Sequence, residues 1–220
     1  MSQIKISYVT ASSRGVSFKL LQKIKNFPFY YGWVIVFIGA MGVFFSGPGQ
    51  TYSNSAFIDP YIHDFGWSRS YISGMYSVAT VCAGFLLVFV GRFVDRFGQR
   101  SMMVIIGTLL GVACFFNSVI INAWMLMIGF FLIRLLGQGS MSLIPNTLVP
   151  QWFVQKRGRA MSFLAIGGFA SSALFPIVNT WMIESWSWQA TWRFWGFMLL
   201  FIFVPRLLKK STFYAEKKDS

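Results

Sequence analysis

GRFVDRFGQR, residues 91–100, packs three arginines and one aspartate into ten residues of an otherwise oily chain. The flanking stretches give the knot its meaning. Residues 70–91 hold no Asp, Glu, Lys or Arg, and residues 101–155 hold one charge, Arg134. Residues 26–58 and 160–183 hold none. A helix needs roughly 20 apolar residues to cross about 30 Å of hydrocarbon. Each stretch is long enough, and 101–155 accommodates two helices divided by Asn117, Asn122 and the turn between them. Helices are therefore predicted near 30–51, 70–90, 101–118, 123–148 and 160–182. A sixth, short span begins near Trp192. Its uncharged part, 194–205, makes about 18 Å of helix at about 1.5 Å per residue. Leu207 and Leu208 extend it, with Arg193 and Arg206 placed to snorkel to opposite interfaces.

Composition agrees. Of 220 residues, 55% are hydrophobic and 11% charged, against about 25% charged in an ordinary soluble domain. The 25 Phe and 9 Trp leave little to cover a wetted surface, and read as lipid-facing side chains with interfacial belts. The expected fold is an all-α integral membrane protein, a six-transmembrane-helix bundle over 30–208. Basic cytoplasmic tails are expected at 1–29 and 209–220.

The net charge of +13 follows from topology. Of the 19 Lys and Arg, sixteen lie in 1–29, in 92–100, in 156–159 and in 206–218; only Arg69 and Arg193 fall in the alternate loops. The positive-inside rule puts both termini and the charged knot in the cytoplasm. Such basicity marks topology and contact with anionic membrane lipid, and no nucleic-acid partner is expected. Residues 1–29 show no apolar core followed by a small-residue cleavage site, so no cleaved signal peptide is expected. Val16–Lys25 is weakly amphipathic and suits the inner leaflet. Cys82 and Cys114 fall inside predicted spans and read as small apolar fillers.

Placed on the cytoplasmic side between the second and third spans, Gly91-x-x-x-Asp95-Arg96-x-Gly98-x-Arg100 resembles the signature loop of the major facilitator superfamily of transporters. Gln99 departs from the pattern, standing where the family usually carries a base. RLLGQGS (134–140) resembles the superfamily's fourth-helix motif. QWFVQKRGRAMS (151–162), YYGWVIV (30–36), FGWSRS (65–70) and SWQATWRFWG (187–196) look like the monocarboxylate and oxalate/formate branch. The resemblance covers roughly 30–200 and implies one half of a carrier of twelve spans in two six-helix halves. It further implies a cell-membrane, multi-pass protein that moves a small carboxylate by alternating access, with no cofactor and with coupling to protons or a counter-anion. Gly91, Asp95, Arg96, Gly98 and Arg100 would form the gating loop that latches onto the second half. PRLLKKSTFYAEKKDS at the end departs from the family, which suggests an interrupted chain or a natural half. The missing partner would be a C-terminal half or a second copy in a homodimer.

Candidate substrate contacts come from polar residues at membrane depth. Arg134, Gln138, Ser142 and Asn146 recur every four residues and share one slowly drifting stripe of the fourth helix. A charge inside a span faces a cavity or a partner. Arg134 therefore suits either a substrate carboxylate or carbonyls of the first helix. Gln50, Tyr52 and Asn54 follow a Ser-Gly-Pro-Gly sequence (46–49) that either unwinds the first helix toward the cavity or simply ends it. The substrate-binding candidates are thus Arg134, Gln138, Asn146, Gln50 and Asn54. Gly107-x-x-x-Gly111, Gly168-x-x-x-Ser172 and the Ser73, Ser77, Gly84 series read as helix-packing faces. His63 is expected in a solvated loop beside Asp64. An enzyme is not expected: an intramembrane serine protease needs a histidine at membrane depth, and His63 is the only one in the chain. The competing reading is a non-transporting remnant or a membrane interaction partner.

Overall fold

The computed structural model describes residues 31–153 and 156–205. The expected tails, the Val16–Lys25 face and the end of the sixth span at 206–208 lie outside the described residues. Within them every regular element is helical. The helices are α1 (Tyr31–Phe45), α2 (Thr51–Phe65), α3 (Arg69–Phe97), α4 (Gln99–Asn117), α5 (Ala123–Ile133), α6 (Ser142–Trp152), α7 (Arg157–Ser185) and α8 (Trp188–Phe197). α5 runs without a break through a π-helical turn, Arg134–Met141, into α6, and α8 runs on through a second, Met198–Phe203.

Local chemistry fixes the boundaries. Ser68, Asn122 and Ser187 each accept a hydrogen bond from a backbone N–H three residues on, at 3.2, 2.8 and 3.1 Å, and so cap α3, α5 and α8. Gly66 ends α2 with φ +68°, and Gly98 ends α3 with φ +82°, where a side chain would be strained.

Three sequence expectations change. The knot at 91–100 is not a ten-residue loop. α3 continues to Phe97, so Gly91, Asp95 and Arg96 lie in its last turns, Gly98 makes the reversal, and α4 starts at Gln99, with Arg100 in its first turn. Nothing in GRFVDRF breaks a helix strongly, and a helix carries charges out of the hydrocarbon as readily as a loop does. Only Gly98 takes a backbone conformation that calls for glycine; a Cβ on Gly91 would meet nothing within 4 Å.

The first helix does not end near 51. It breaks at the 3₁₀ turn Gly47–Gly49 and re-forms over Thr51–Phe65, which puts His63 and Asp64 in the last turn of a helix. The aromatics, finally, are not all lipid-facing. Trp192 is buried, stacks on Phe57 at 4.4 Å and donates its indole N–H to the Tyr61 hydroxyl at 3.0 Å. Trp195 stacks on Phe175 at 4.3 Å and donates to Asn179 Oδ1 at 2.7 Å.

The helices pack closely where glycine permits. α1 lies along α7, and a Cβ on Gly167 would stand 2.2 Å from the Ala40 carbonyl oxygen. α4 meets α8 at Gly111 and Gly196, and a Cβ on Gly107 would stand 3.2 Å from the Phe203 ring. Gly107 and Gly111 do the packing work expected of them; on α7 the close contact falls to Gly167 instead of Gly168, and Ser172 is exposed and bonds the Phe169 carbonyl of its own helix at 3.0 Å. The Ser73, Ser77, Gly84 series on α3 instead points outward, and a Cβ on Gly84 meets nothing within 4 Å. Among the described residues, three helices are long and apolar enough to cross a membrane: Arg69–Phe97, Ala123–Trp152 and Arg157–Ser185. Ile35–Phe45 and Ser101–Asn117 are shorter apolar helices.

Candidate functional site

Two irregularities face each other: the break between α1 and α2, and the π-turn between α5 and α6. Pro48 has no N–H to donate, and Gln50 is extended at φ −80°, ψ 150°, so the helix unwinds for one turn. Across from it the π-turn widens the fourth helix, and Ser140 Oγ donates to the Leu135 carbonyl at 2.6 Å. A Cβ built on Gly49 would lie 2.2 Å from the Ile133 carbonyl oxygen and 2.7 Å from Gly137 Cα. The two backbones touch because neither position carries a side chain.

This contact assembles a polar cluster. Thr51 Oγ1 accepts from Arg134 Nη1 at 3.0 Å and from the Tyr76 hydroxyl at 3.1 Å, and donates to Gln138 Oε1 at 3.2 Å. That uses its full capacity of one donor and two acceptors. The Arg134 guanidinium carbon also lies 5.1 Å from the centroid of the Tyr76 ring, in cation–π contact. Beside it, Gln50 Nε2 donates to Ser46 Oγ at 2.9 Å and to Ser142 Oγ at 3.3 Å. Ser142 Oγ donates to Ser46 Oγ at 3.3 Å, and Ser46 Oγ to the Val43 carbonyl at 2.7 Å. Thr51 is exposed, while Gln50, Tyr76, Arg134, Gln138 and Ser142 are half-buried, so the cluster is open on one side. Among the described residues no carboxylate pairs with Arg134; the ion pairs there are His63 with Asp64 and Arg69 with Asp59.

Four of the residues singled out in the sequence therefore meet: Arg134, Gln138 and Ser142 from the fourth helix, and Gln50 from the first. Arg134 bonds a first-helix hydroxyl, neither a carbonyl nor an acidic side chain. Asn54 is 3% exposed and turns its amide onto the Pro48 and Gln50 carbonyls at 3.3 and 2.9 Å, bracing the break. Asn146 is exposed and bonds the Ser142 carbonyl of its own helix at 2.7 Å, apart from the cluster. The hinge residues Gly91, Asp95, Arg96 and Gly98 lie elsewhere, around the α3–α4 reversal. Sequence reasoning missed Thr51 and Tyr76. Thr51 stands directly after Gln50 and carried a signal as the residue that restarts the helix; Tyr76 carried none, because only the packing of α3 brings it there.

A second polar layer ties α2 to its neighbours. Tyr52 donates to Ser171 Oγ at 2.7 Å, and buried Asn179 donates to Ser53 Oγ at 2.8 Å. Both are satisfied inside the bundle and hold the restarted helix in place.

The sequence profile of the Major Facilitator Superfamily matches residues 39–220. The chain belongs to the major facilitator superfamily. With its long apolar helices, it is a multi-pass membrane protein. It is similar to the MFS antiporter QDR3 of Candida albicans, at 25% identity over 205 residues, which is 89% of this chain and 29% of that protein. It is similar to the MFS-type transporter oryN of Aspergillus oryzae, at 33% over 104 residues, 47% of this chain and 20% of that protein. The uncharacterized MFS-type transporter YhjX of Escherichia coli is 27% identical over 122 residues, 54% of this chain and 30% of that protein. The chain thus spans 20–30% of the length of these curated relatives.

Proposed function

We propose that the chain is a six-helix half of a major facilitator carrier that moves small carboxylate anions by alternating access. One observation carries the anion assignment. Arg134 is half-buried in the bundle, one donor is fixed by Thr51, the Tyr76 ring lies against its guanidinium, and among the described residues no acidic group neutralises it. A cation at membrane depth without a counter-charge is costly. A substrate carboxylate would supply that charge, and a planar guanidinium offers it two parallel N–H bonds.

Each part of the site has a role in this reading. Thr51 and Tyr76 hold the guanidinium so that its remaining N–H groups face the open side. Gln138 spends its carbonyl on Thr51 and keeps its amide N–H₂ for the substrate. Gln50 and Ser142 line the same opening. The Gly49–Gly137 contact lets the first and fourth helices move as one body. α1 with α2, α4 and α8 join the three long helices as spans, giving six. The orientation follows the basic residues, with both termini and the α3–α4 reversal on the cytoplasmic side of the cell membrane. Gly91, Asp95, Arg96, Gly98 and Arg100 would dock on a second six-helix half, either the remainder of a longer carrier or a second copy. The tails 1–29 and 209–220 would lie along anionic lipid.

The test is uptake of a labelled monocarboxylate by a version carrying both halves, with Arg134 replaced by Lys and by Gln. Lysine keeps the charge but not the fork. Losing a charged hydrogen bond of about 1.5–3 kcal/mol predicts a loss of affinity of about tenfold or more for Lys, at unchanged membrane expression. Unaltered uptake in both variants would remove Arg134 from the substrate path.

A further inference from the structure

The bundle end that carries Asp59, Asp64, Arg69 and Glu184 leaves one charge unanswered. These residues share an end because Trp188, at the start of α8, donates its indole N–H to Asp64 Oδ2 at 2.7 Å, and Arg69, at the start of α3, pairs with Asp59. Asp64 also faces His63 Nδ1 at 3.1 Å. Glu184, one residue before the end of α7, has neither an ion pair nor a hydrogen bond among the described residues. It lies in a shallow, open groove along the outer face of α7, lined by Pro176, Ile177, Thr180, Trp181 and Glu184 of that one helix.

The lining changes character along the helix. At one end stand the carboxylate and the exposed indole of Trp181; just beyond the lining, exposed Trp186 meets that indole with ring centroids 6.2 Å apart and planes tilted by 55°. Angled aromatic faces beside a carboxylate recognise an alkylammonium group, by cation–π attraction and charge. Toward the middle of the helix the lining becomes Ile177, 68% exposed, and Pro176. Eight residues of helix separate Glu184 from Pro176, about 12 Å at about 1.5 Å per residue, which carries the groove from the interface into the hydrocarbon. A cationic head and an apolar tail are thus matched in order. We infer that this groove holds an ammonium-bearing phospholipid, phosphatidylethanolamine or phosphatidylcholine. Its head lies against Glu184 and the Trp181–Trp186 pair, and one acyl chain runs along Ile177 and Pro176. The inference is independent of the substrate assignment.

The purified, delipidated full chain, in detergent, is offered an equal mixture of dioleoyl phosphatidylethanolamine, phosphatidylcholine and phosphatidylglycerol, and retained lipid is counted by native mass spectrometry. The readout is the ratio of amine lipid to phosphatidylglycerol, so that phosphatidylglycerol held by the basic face cancels between variants. Glu184→Gln is expected to lower this ratio by about two- to fivefold, the range of an exposed cation–π contact and its charge. Trp181→Ala is expected to do the same. Both positions are exposed, and unchanged helical circular dichroism confirms folding. Soluble glycerophosphocholine should not displace the lipid, because it lacks the chain that the apolar end takes. An unaltered ratio in Glu184→Gln, or full displacement by the soluble headgroup, would overturn the assignment.

Discussion

Gly49 and Gly137 lie in backbone contact across the first and fourth helices: a Cβ on Gly137 would stand 2.7 Å from Gly49 Cα and 3.0 Å from Gly49 N. Backbone cannot yield as a side-chain tip does, so Gly49→Ala or Gly137→Ala must push the helices apart. Overpacking of this kind costs about 1–3 kcal/mol. Both variants should melt earlier in detergent, and both should weaken substrate binding, since the same contact sets Thr51 against Arg134. Gly84→Ala is the control. Its Cβ enters open space on a helix, where alanine is favoured over glycine by about 1 kcal/mol, so it should melt no earlier than the parent.

Thr51 is the node through which Arg134, Tyr76 and Gln138 communicate. Thr51→Val keeps the shape and deletes the hydroxyl. It frees the guanidinium to swing and leaves the Gln138 carbonyl without its donor. A hydrogen bond to a charged group contributes about 1.5–3 kcal/mol, and the exposure of Thr51 argues for the lower end, a loss of affinity of about tenfold. Thr51→Ser should restore most of it. Equal affinity for Val and Ser in an uptake series would show that Arg134 needs no positioning.

Much of this was legible in the chain, and the reasons differ by feature. Helical, membrane-spanning character followed from uncharged stretches that no soluble domain tolerates. The cap residues Ser68, Asn122 and Ser187 act within three residues of themselves, yet of these only Asn122 marked a boundary in the sequence, and α8 begins at Trp188, before the expected Trp192. The reversal at Gly98 was visible, but the extent of helix before it was not, because charged residues do not distinguish a loop from a helix leaving the membrane. The polar stripe stays together from Arg134 and Gln138, inside the π-turn, to Ser142 just past it, while Asn146 one turn further on bonds its own backbone. Trp188, Trp192 and Trp195 look in composition like interfacial tryptophans, and only the partners Asp64, Tyr61 and Asn179 reveal them as interior. Tyr76 entered the site through the packing of α3 on the fourth helix, a long-range fact.

The α3–α4 reversal gives an orientation test. Gln99 directly follows Gly98, whose φ of +82° and ψ of 147° few other residues adopt, so a probe belongs at Gln99 and not at Gly98. With a cytoplasmic reversal, cysteine at Gln99 should resist an impermeant thiol reagent in intact cells and react after permeabilisation. Native Cys82 is exposed on the surface of α3 and should be replaced first. Labelling of intact cells would invert the topology.

The final expectation is that this chain does not transport by itself. It spans 20–30% of the length of relatives named as transporters or antiporters, so a large part of such a molecule stands outside it. The polar opening at Thr51, Arg134 and Gln138 has no wall opposite it among the described residues, and hydrocarbon over those groups would be costly. The outward side of α3 presents Val81, Phe85 and Val88 beside Gly84, a surface that packs as well against protein as against lipid. Alternating access needs a second body to rock against the first, and homodimerisation is the one arrangement in which this chain could supply it, about an axis along the membrane normal. Reconstitution of the purified chain into liposomes, with labelled formate, lactate and oxalate offered in turn, decides the matter. No uptake, with activity returning on co-expression of a second half, is the expected outcome. Saturable uptake by the chain alone would mean that two copies build the carrier, and crosslinking across the membrane-normal axis should then trap that dimer.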